Sequence, residues 1–138
     1  MNALVDTSVW SLAYRRKHEN LNPSERKLHA EIAELIQETR VRIIGPVCQE
    51  LLSGIRDVNQ FELIWRDMES FDEEPLSIRD YRRGAEVSNT LRAHGITGNL
   101  VDCLICAVAL DRGLSVFTTD QDFQHYSKYV PIRLHMPR

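Results

Sequence analysis

No apolar run in these 138 residues reaches the roughly 18 that a membrane-spanning helix needs. The opening Met1-Asn2-Ala3-Leu4-Val5-Asp6 carries no basic leader and enters an apolar strand at once, so neither a signal peptide nor a membrane association is expected. A cytoplasmic location follows as the expectation. Cysteine is scarce. The three present cannot all pair, and Cys103-x-x-Cys106 has no second Cys or His pair at zinc spacing. It lies in the apolar helical stretch from Val101 to Ala109, which favours buried packing over redox chemistry or zinc. The five histidines show neither HxH nor HExxH spacing and read as surface or packing residues. No G-x-S-x-G surrounds Ser8, Ser11 or Ser53, and no Gly-rich loop ends in G-K-[ST], which argues against a serine hydrolase and a P-loop enzyme.

What is present fits one ordinary domain spanning residues 1–138. Hydrophobic residues make up 43% and charged ones 27%, the balance of a soluble globular chain with a real core. Net charge is −3. It does not decide for or against a nucleic-acid partner, because Arg15-Arg16-Lys17-His18 and Arg79, Arg82, Arg83 form local basic clusters, and some of the acids have a special placement.

Strand and helix signals alternate along the chain. Ala3-Leu4-Val5 reads as a buried strand, and Asp6-Thr7-Ser8 as the start of the helix carrying Val9, Trp10 and Leu12. Asn22-Pro23-Ser24-Glu25 supplies a cap, a proline at the first helical position and a glutamate for a capping box; Leu28, Ile32, Leu35 and Ile36 then recur at helical spacing. Val41–Ile44 is a strand, Gly45-Pro46 opens a helix through Glu50 to Gly54, and Asp57 with Gln60 caps the next one. A weak strand is expected within residues 70–76. Ser77 with Asp80 caps a helix to about His94, Asn99 caps the apolar helix ended by Gly113, and Leu114–Thr118 is a strand. A short helix over Asp120–Ser127 and a proline-bearing edge strand over Val130–Leu134 complete the pattern. The reading is an α/β domain with a mostly parallel sheet flanked by helices on both faces.

Four acids, Asp6, Glu50, Asp102 and Asp120, stand where strands give way to helices or just inside a helix. Each has an ordinary explanation. Asp6 and Asp120 serve as helix caps, Glu50 as an exposed helical acid, and Asp102 as the N3 acid after Asn99, worth roughly 0.3–1 kcal/mol against the helix dipole. Together they have another reading. Ligands of open α/β sheets collect outside the carboxyl ends of the strands. Asp102 opens a helix whose Ile105, Cys106 and Ala109 share its otherwise apolar face. Carboxylates gathered there repel one another unless a divalent cation neutralises them, which points to magnesium and phosphate chemistry.

The motifs resemble those of PIN-domain proteins. Leu4-Val5-Asp6-Thr7-Ser8-Val9-Trp10 is similar to that family's opening, Pro46–Gly54 to its second motif, Asp102–Ala109 to its third and Thr118-Thr119-Asp120-Gln121-Asp122-Phe123 to its fourth. Order, spacing and length match the VapC-type toxins of toxin–antitoxin pairs. The resemblance implies an endoribonuclease dependent on Mg²⁺ (or Mn²⁺), inhibited by a VapB-like antitoxin and commonly a homodimer. It carries the metal-binding and catalytic roles onto Asp6, Glu50, Asp102 and Asp120, with Asp122 as a fifth metal-site member and Thr7 and Ser8 as supporting hydroxyls. Asp6 and Asp102 are the expected principal ligands. The metal would polarise a scissile phosphate and acidify a water for in-line attack on RNA. Arg15, Arg16 and Lys17 are candidates for holding flanking phosphates, with a solvated loop as the plain alternative. A catalytically silent PIN-fold binding protein would lack one of the acids. A receiver-like signalling domain would need a lysine at a late strand end, and Lys17, Lys27 and Lys128 all lie elsewhere.

Overall fold

A computed structural model describes residues 1–15 and 18–138. Its centre is β1 (Ala3–Val5), whose three side chains are fully buried, as a short apolar run in mid-sheet must be. β1 pairs on one side with β2 (Val41–Ile43) and on the other with β4 (Ser115–Phe117). β3 (Asp72–Glu73) adds to the outer edge of β2, and β5 (Arg133–Leu134) to that of β4. The order β3-β2-β1-β4-β5 is parallel throughout, so the expected mostly parallel sheet is parallel in every pair.

Helices fill the connections. α1 (Thr7–Arg15), a 3₁₀ turn (His18–Asn20) and α2 (Pro23–Gln37) link β1 to β2; α3 (Gly45–Leu52) and α4 (Val58–Ser70) link β2 to β3. α5 (Ile78–Ala93) and α6 (Leu100–Arg112) carry the chain back to β4, and α7 (Asp122–Tyr126) leads to β5. Parallel crossovers are right-handed. The first two connections run outward from β1 and the third returns past it, so α5 and α6 cover the opposite face from α1–α4. Among the described residues no helix is long and apolar enough to cross a membrane.

Local chemistry sets the helix ends that matter for the site. Asn22 accepts the Glu25 N–H at 2.8 Å while Glu25 accepts the Asn22 N–H at 3.1 Å, the reciprocal box the sequence announces. Gln60 behaves otherwise than expected. Asp57 caps α4 alone, accepting the Asn59 N–H at 3.0 Å, while the Gln60 amide reaches across to the Tyr14 carbonyl at 3.0 Å. On α6, Asn99 Oδ1 accepts the N–H groups of Val101 and Asp102 at 2.8 and 3.4 Å. Gly113 closes the helix at φ +65°, in the left-handed conformation that costs other residues strain. Every residue from Cys103 to Ala109 is buried, so α6 is clamped on nearly all sides. All three cysteines are buried free thiols, the packing role their context indicates.

Strand order reverses between β1 and β4. From β1 the chain builds outward through β2 and β3, then jumps back to β4 and β5. Such a switch point opens a crevice at the carboxyl ends of the two central strands. The Asp6 N–H donates to the Phe117 carbonyl at 2.9 Å, carrying the β1–β4 ladder up to the lip of that crevice.

Candidate active site

Asp6 is the residue immediately beyond β1 and is only 5% exposed. Its backbone carbonyl accepts the N–H groups of Val9 and Trp10, so the backbone starts α1. The side chain does something else. Its Oδ2 accepts the hydroxyls of Ser8 and Thr118, each at 2.8 Å, the one from the start of α1 and the other from the end of β4. A helix cap spends its carboxylate on backbone N–H groups; among the described residues this one is spent on hydroxyls, and Oδ1 is left open.

The neighbouring hydroxyls extend the arrangement. Ser8 Oγ accepts the Thr119 N–H at 3.0 Å, and Thr118 Oγ1 accepts the Asp120 N–H at 2.9 Å. Asp120 in turn accepts the Asp122 N–H at 2.9 Å, holding the entry to α7 in an Asx turn. On the other side, Thr7 donates to Glu50 Oε1 at 2.6 Å, so an exposed acid of α3 is drawn toward the start of α1. Asp102 projects from the first turn of α6, partly buried, and Tyr126 of α7 donates to its Oδ2 at 3.1 Å.

Electrostatics ties the four acids together. Burial pushes the Asp102 carboxyl up to about 7; the charge of Asp6 adds to this, the Tyr126 hydrogen bond opposes it, and Asp120 and Glu50 raise it further. Three acids from three other elements therefore act on one carboxyl group. Asp122 is exposed and stands at the margin, its charge acting on Tyr126. Arg16 and Lys17 lie outside the described residues, as does the side chain of Arg15.

Two residues of this cluster have no assigned role in the sequence reading. Thr118 sits after β4 as Thr7 and Ser8 sit after β1, so a hydroxyl behind a strand end was an available signal. Tyr126 is 24 positions from the acid it touches, and no local pattern announces such a contact.

The donor set suits a hard cation. Every exposed or half-exposed ligand atom is oxygen, and the nearest thiol, Cys106, is fully buried and pushed up by burial, by Cys103 and by the acids, so it stays protonated. Among the described residues, no three His, Cys, Asp or Glu side chains form a finished metal cage. A cleft of about 720 Å³ lies between α3 and α4, lined by Leu52, Phe61, Trp65, Met68 and Phe71, and includes none of the four acids.

A family model described as PIN domain matches residues 3–129. The chain belongs to the PIN-domain family. Residues 3–129 include both central strands, all four acids and Tyr126, so the candidate site lies wholly inside the matched PIN domain. Among curated proteins it is 29% identical over 124 residues to "VapC ribonuclease Mb1587" of Mycobacterium bovis, covering 87% of each. Among solved structures, FitAcB from Neisseria gonorrhoeae superposes with a TM-score of 0.73 at 20% identity, covering 98% of this chain and 97% of that one. A toxin–antitoxin complex from Klebsiella pneumoniae gives 0.71 at 15% identity, covering 99% and 98%. These likenesses bear out the expected fold, and PIN membership displaces the receiver-like alternative.

Proposed function

We propose that this PIN domain is a VapC-type toxin, a divalent-metal-dependent endoribonuclease restrained by a protein antitoxin. The observation that carries the reading is the placement of Asp6 and Asp120 directly behind β1 and β4 at the switch point, tied through Thr118, with Glu50 drawn to the start of α1 by Thr7. Similarity over 87% of the chain to a protein named as a VapC ribonuclease supports RNA as the substrate, and likeness to a toxin–antitoxin complex supports an antitoxin partner.

In this reading Asp6 and Asp102 would be the principal residues holding Mg²⁺, or Mn²⁺ in its place, with Glu50 and Asp120 in support. Bound there, the ion would supply Lewis-acid polarisation of a scissile phosphate and acidify water at neutral pH. The protein's own part is to fix the acids. Ser8 and Thr118 hold one oxygen of Asp6 and leave the other free, and Thr7 aims Glu50 across from α3. The buried α6 behind Asp102 limits solvent on that side. Asp122 supports the turn that presents Asp120, and Arg15, Arg16 and Lys17 remain candidates for the flanking RNA phosphates.

Cleavage of single-stranded RNA by purified protein tests this. Activity should require Mg²⁺ or Mn²⁺, and Asp6→Asn and Asp102→Asn should each lower kcat at least a hundredfold. Wild-type cleavage by both variants, or cleavage undiminished by chelator, would remove the proposed site.

A further inference from the structure

We propose that Tyr126 is a positioning residue that fixes which oxygen of Asp102 is offered to the cation, an inference resting on the metal-dependent reading above. Asp6 and Glu50 are held by serine and threonine hydroxyls and Asp120 by the Asp122 N–H, whereas Asp102 is held by a phenol reaching from α7. The phenol is itself immobile. Tyr126 is 3% exposed, Phe123 packs edge-on against its ring at 5.2 Å and 71°, and Gly98 lies behind it. A Cβ at Gly98 would stand in ordinary contact with the ring at 3.8 Å, while crowding Cys103 Sγ at 2.9 Å.

The hydroxyl donates to Asp102 Oδ2 at 3.1 Å. With Oδ2 held, the carboxylate cannot swing freely about its last torsion, and among the described residues Oδ1 accepts no hydrogen bond. Phenylalanine at this position would fill the same space and leave the carboxylate loose. Hydrogen-bond partners behind metal ligands are typically worth ~10–100-fold in metal affinity. Tyr126 also joins the Asp102 helix to the α7 segment that follows Asp120, so one hydroxyl sets the relative position of two site acids.

Mn²⁺ binding by wild type, Tyr126→Phe, Asp102→Asn and the double variant, followed by the electron paramagnetic resonance of free Mn²⁺, tests the proposal. Tyr126→Phe should weaken Mn²⁺ binding about tenfold, with no further loss when added to Asp102→Asn. RNA cleavage by Tyr126→Phe should fall at low Mn²⁺ and recover at high Mn²⁺ with KM for RNA unchanged, a rescue that a merely structural defect would not show. Mn²⁺ affinity within twofold of wild type overturns the proposal while leaving the ribonuclease reading intact. Weakened binding in a protein that cleaves no RNA supports the proposal and sinks the ribonuclease reading; absence of Mn²⁺ binding by wild type overturns both. Should Tyr126→Phe fail to fold, wild type carrying ¹³Cζ-tyrosine gives the answer. Mg²⁺ must shift the Tyr126 resonance, and an unmoved resonance counts against the role.

Discussion

Three carboxylates in this protein are almost completely buried, and the fold treats one of them differently. Glu31 is 3% exposed and Asp80 2%. Glu31 meets the Arg138 guanidinium at 2.9 Å, the Arg138 N–H at 3.0 Å and His135 at 3.1 Å; burial pushes its carboxyl up, but these partners outweigh it and leave it low. Asp80 is held low by the Ser77 N–H against the cost of burial, with Arg112 at 2.9 Å and Arg83 at 3.5 Å adding to the effect. Asp6, 5% exposed, receives two neutral hydroxyls, and among the described residues no Arg or Lys pairs with it or with Asp102. This chain supplies cations to buried acids where they serve the fold. Among the described residues it withholds them at the switch point, which is how a site built to take its positive charge from solution would be arranged.

The largest test of that contrast adds the missing charge. Mg²⁺ at a hundred times its Kd should stabilise wild type against urea by about 2.7 kcal/mol, the mass-action value for a ligand of the folded state alone. Asp102→Asn should gain little from Mg²⁺. In chelator the same variant should melt above wild type, because a neutral amide ends the repulsion from Asp6, Asp120 and Glu50. A lower melting temperature in chelator would mean that the acid's contribution at the start of α6, about 0.3–1 kcal/mol, outweighs the repulsion.

At the other kind of site the cation is built in, and its removal should hurt whatever the metal concentration. Arg112→Ala strands Asp80 with Ser77 and the half-exposed Arg83. A loss of about 2 kcal/mol is expected, below the 3–5 typical of a fully broken buried pair because those partners remain. Urea titrations in Mg²⁺ and in chelator should give the same loss. A loss seen only in chelator would erase the distinction between the two regions.

The comparison also explains what could be read from the chain alone. Capping boxes, apolar periodicity and strand-end acids are local, and they placed β1, β2, β4 and α2 to α6 within a few residues. β3, Asp72–Glu73, falls within the weak strand expected over residues 70–76, but its two exposed residues carry no apolar pattern, and they form a strand because β2 offers an edge. The last strand shrinks to Arg133–Leu134, clear of Pro131, which has no N–H to donate. Asp6, Asp102 and Asp120 stood out for the same reason as the helices, since each marks an element boundary, while Glu50 lies inside α3. Thr118 left a similar mark behind a strand end, but Tyr126 did not, because its hydroxyl acquires meaning only from the tertiary neighbour it meets. Gln60 misled in the same way, with a cap-like spacing but a partner on α1.

Acidity should separate the two regions as well. Asp102 titrates near 7 in the metal-free fold against about 3.9 in an unfolded chain. Between those values the folded state binds more protons, so stability falls as pH rises through the window. In chelator, the melting temperature of wild type should therefore drop by several degrees from pH 5 to pH 8, and that of Asp102→Asn should stay nearly level. Glu31 and Asp80 act with the opposite sign, since their carboxyls lie below the ordinary range. Their stabilisation is complete above the unfolded values and is lost only in stronger acid. Mg²⁺ should flatten the wild-type slope, because the ion and the proton compete for Asp102.

The smallest effect probes whether neutral hydroxyls matter at all where cations are withheld. Thr118→Val keeps the shape of the side chain but removes its donation to Asp6 Oδ2 and its acceptance of the Asp120 N–H. Ser8 still donates to the same Asp6 oxygen, so the carboxylate keeps one of its two partners. A loss of about 1 kcal/mol in urea is expected, with Thr118→Ser close to wild type. That would be less than removing Arg112 costs Asp80, as suits a dipole in place of a full charge. A Thr118→Val variant as stable as wild type would show that the Thr118 hydroxyl only fills space, and that Ser8 and the backbone suffice to keep Asp6 at the lip of the crevice.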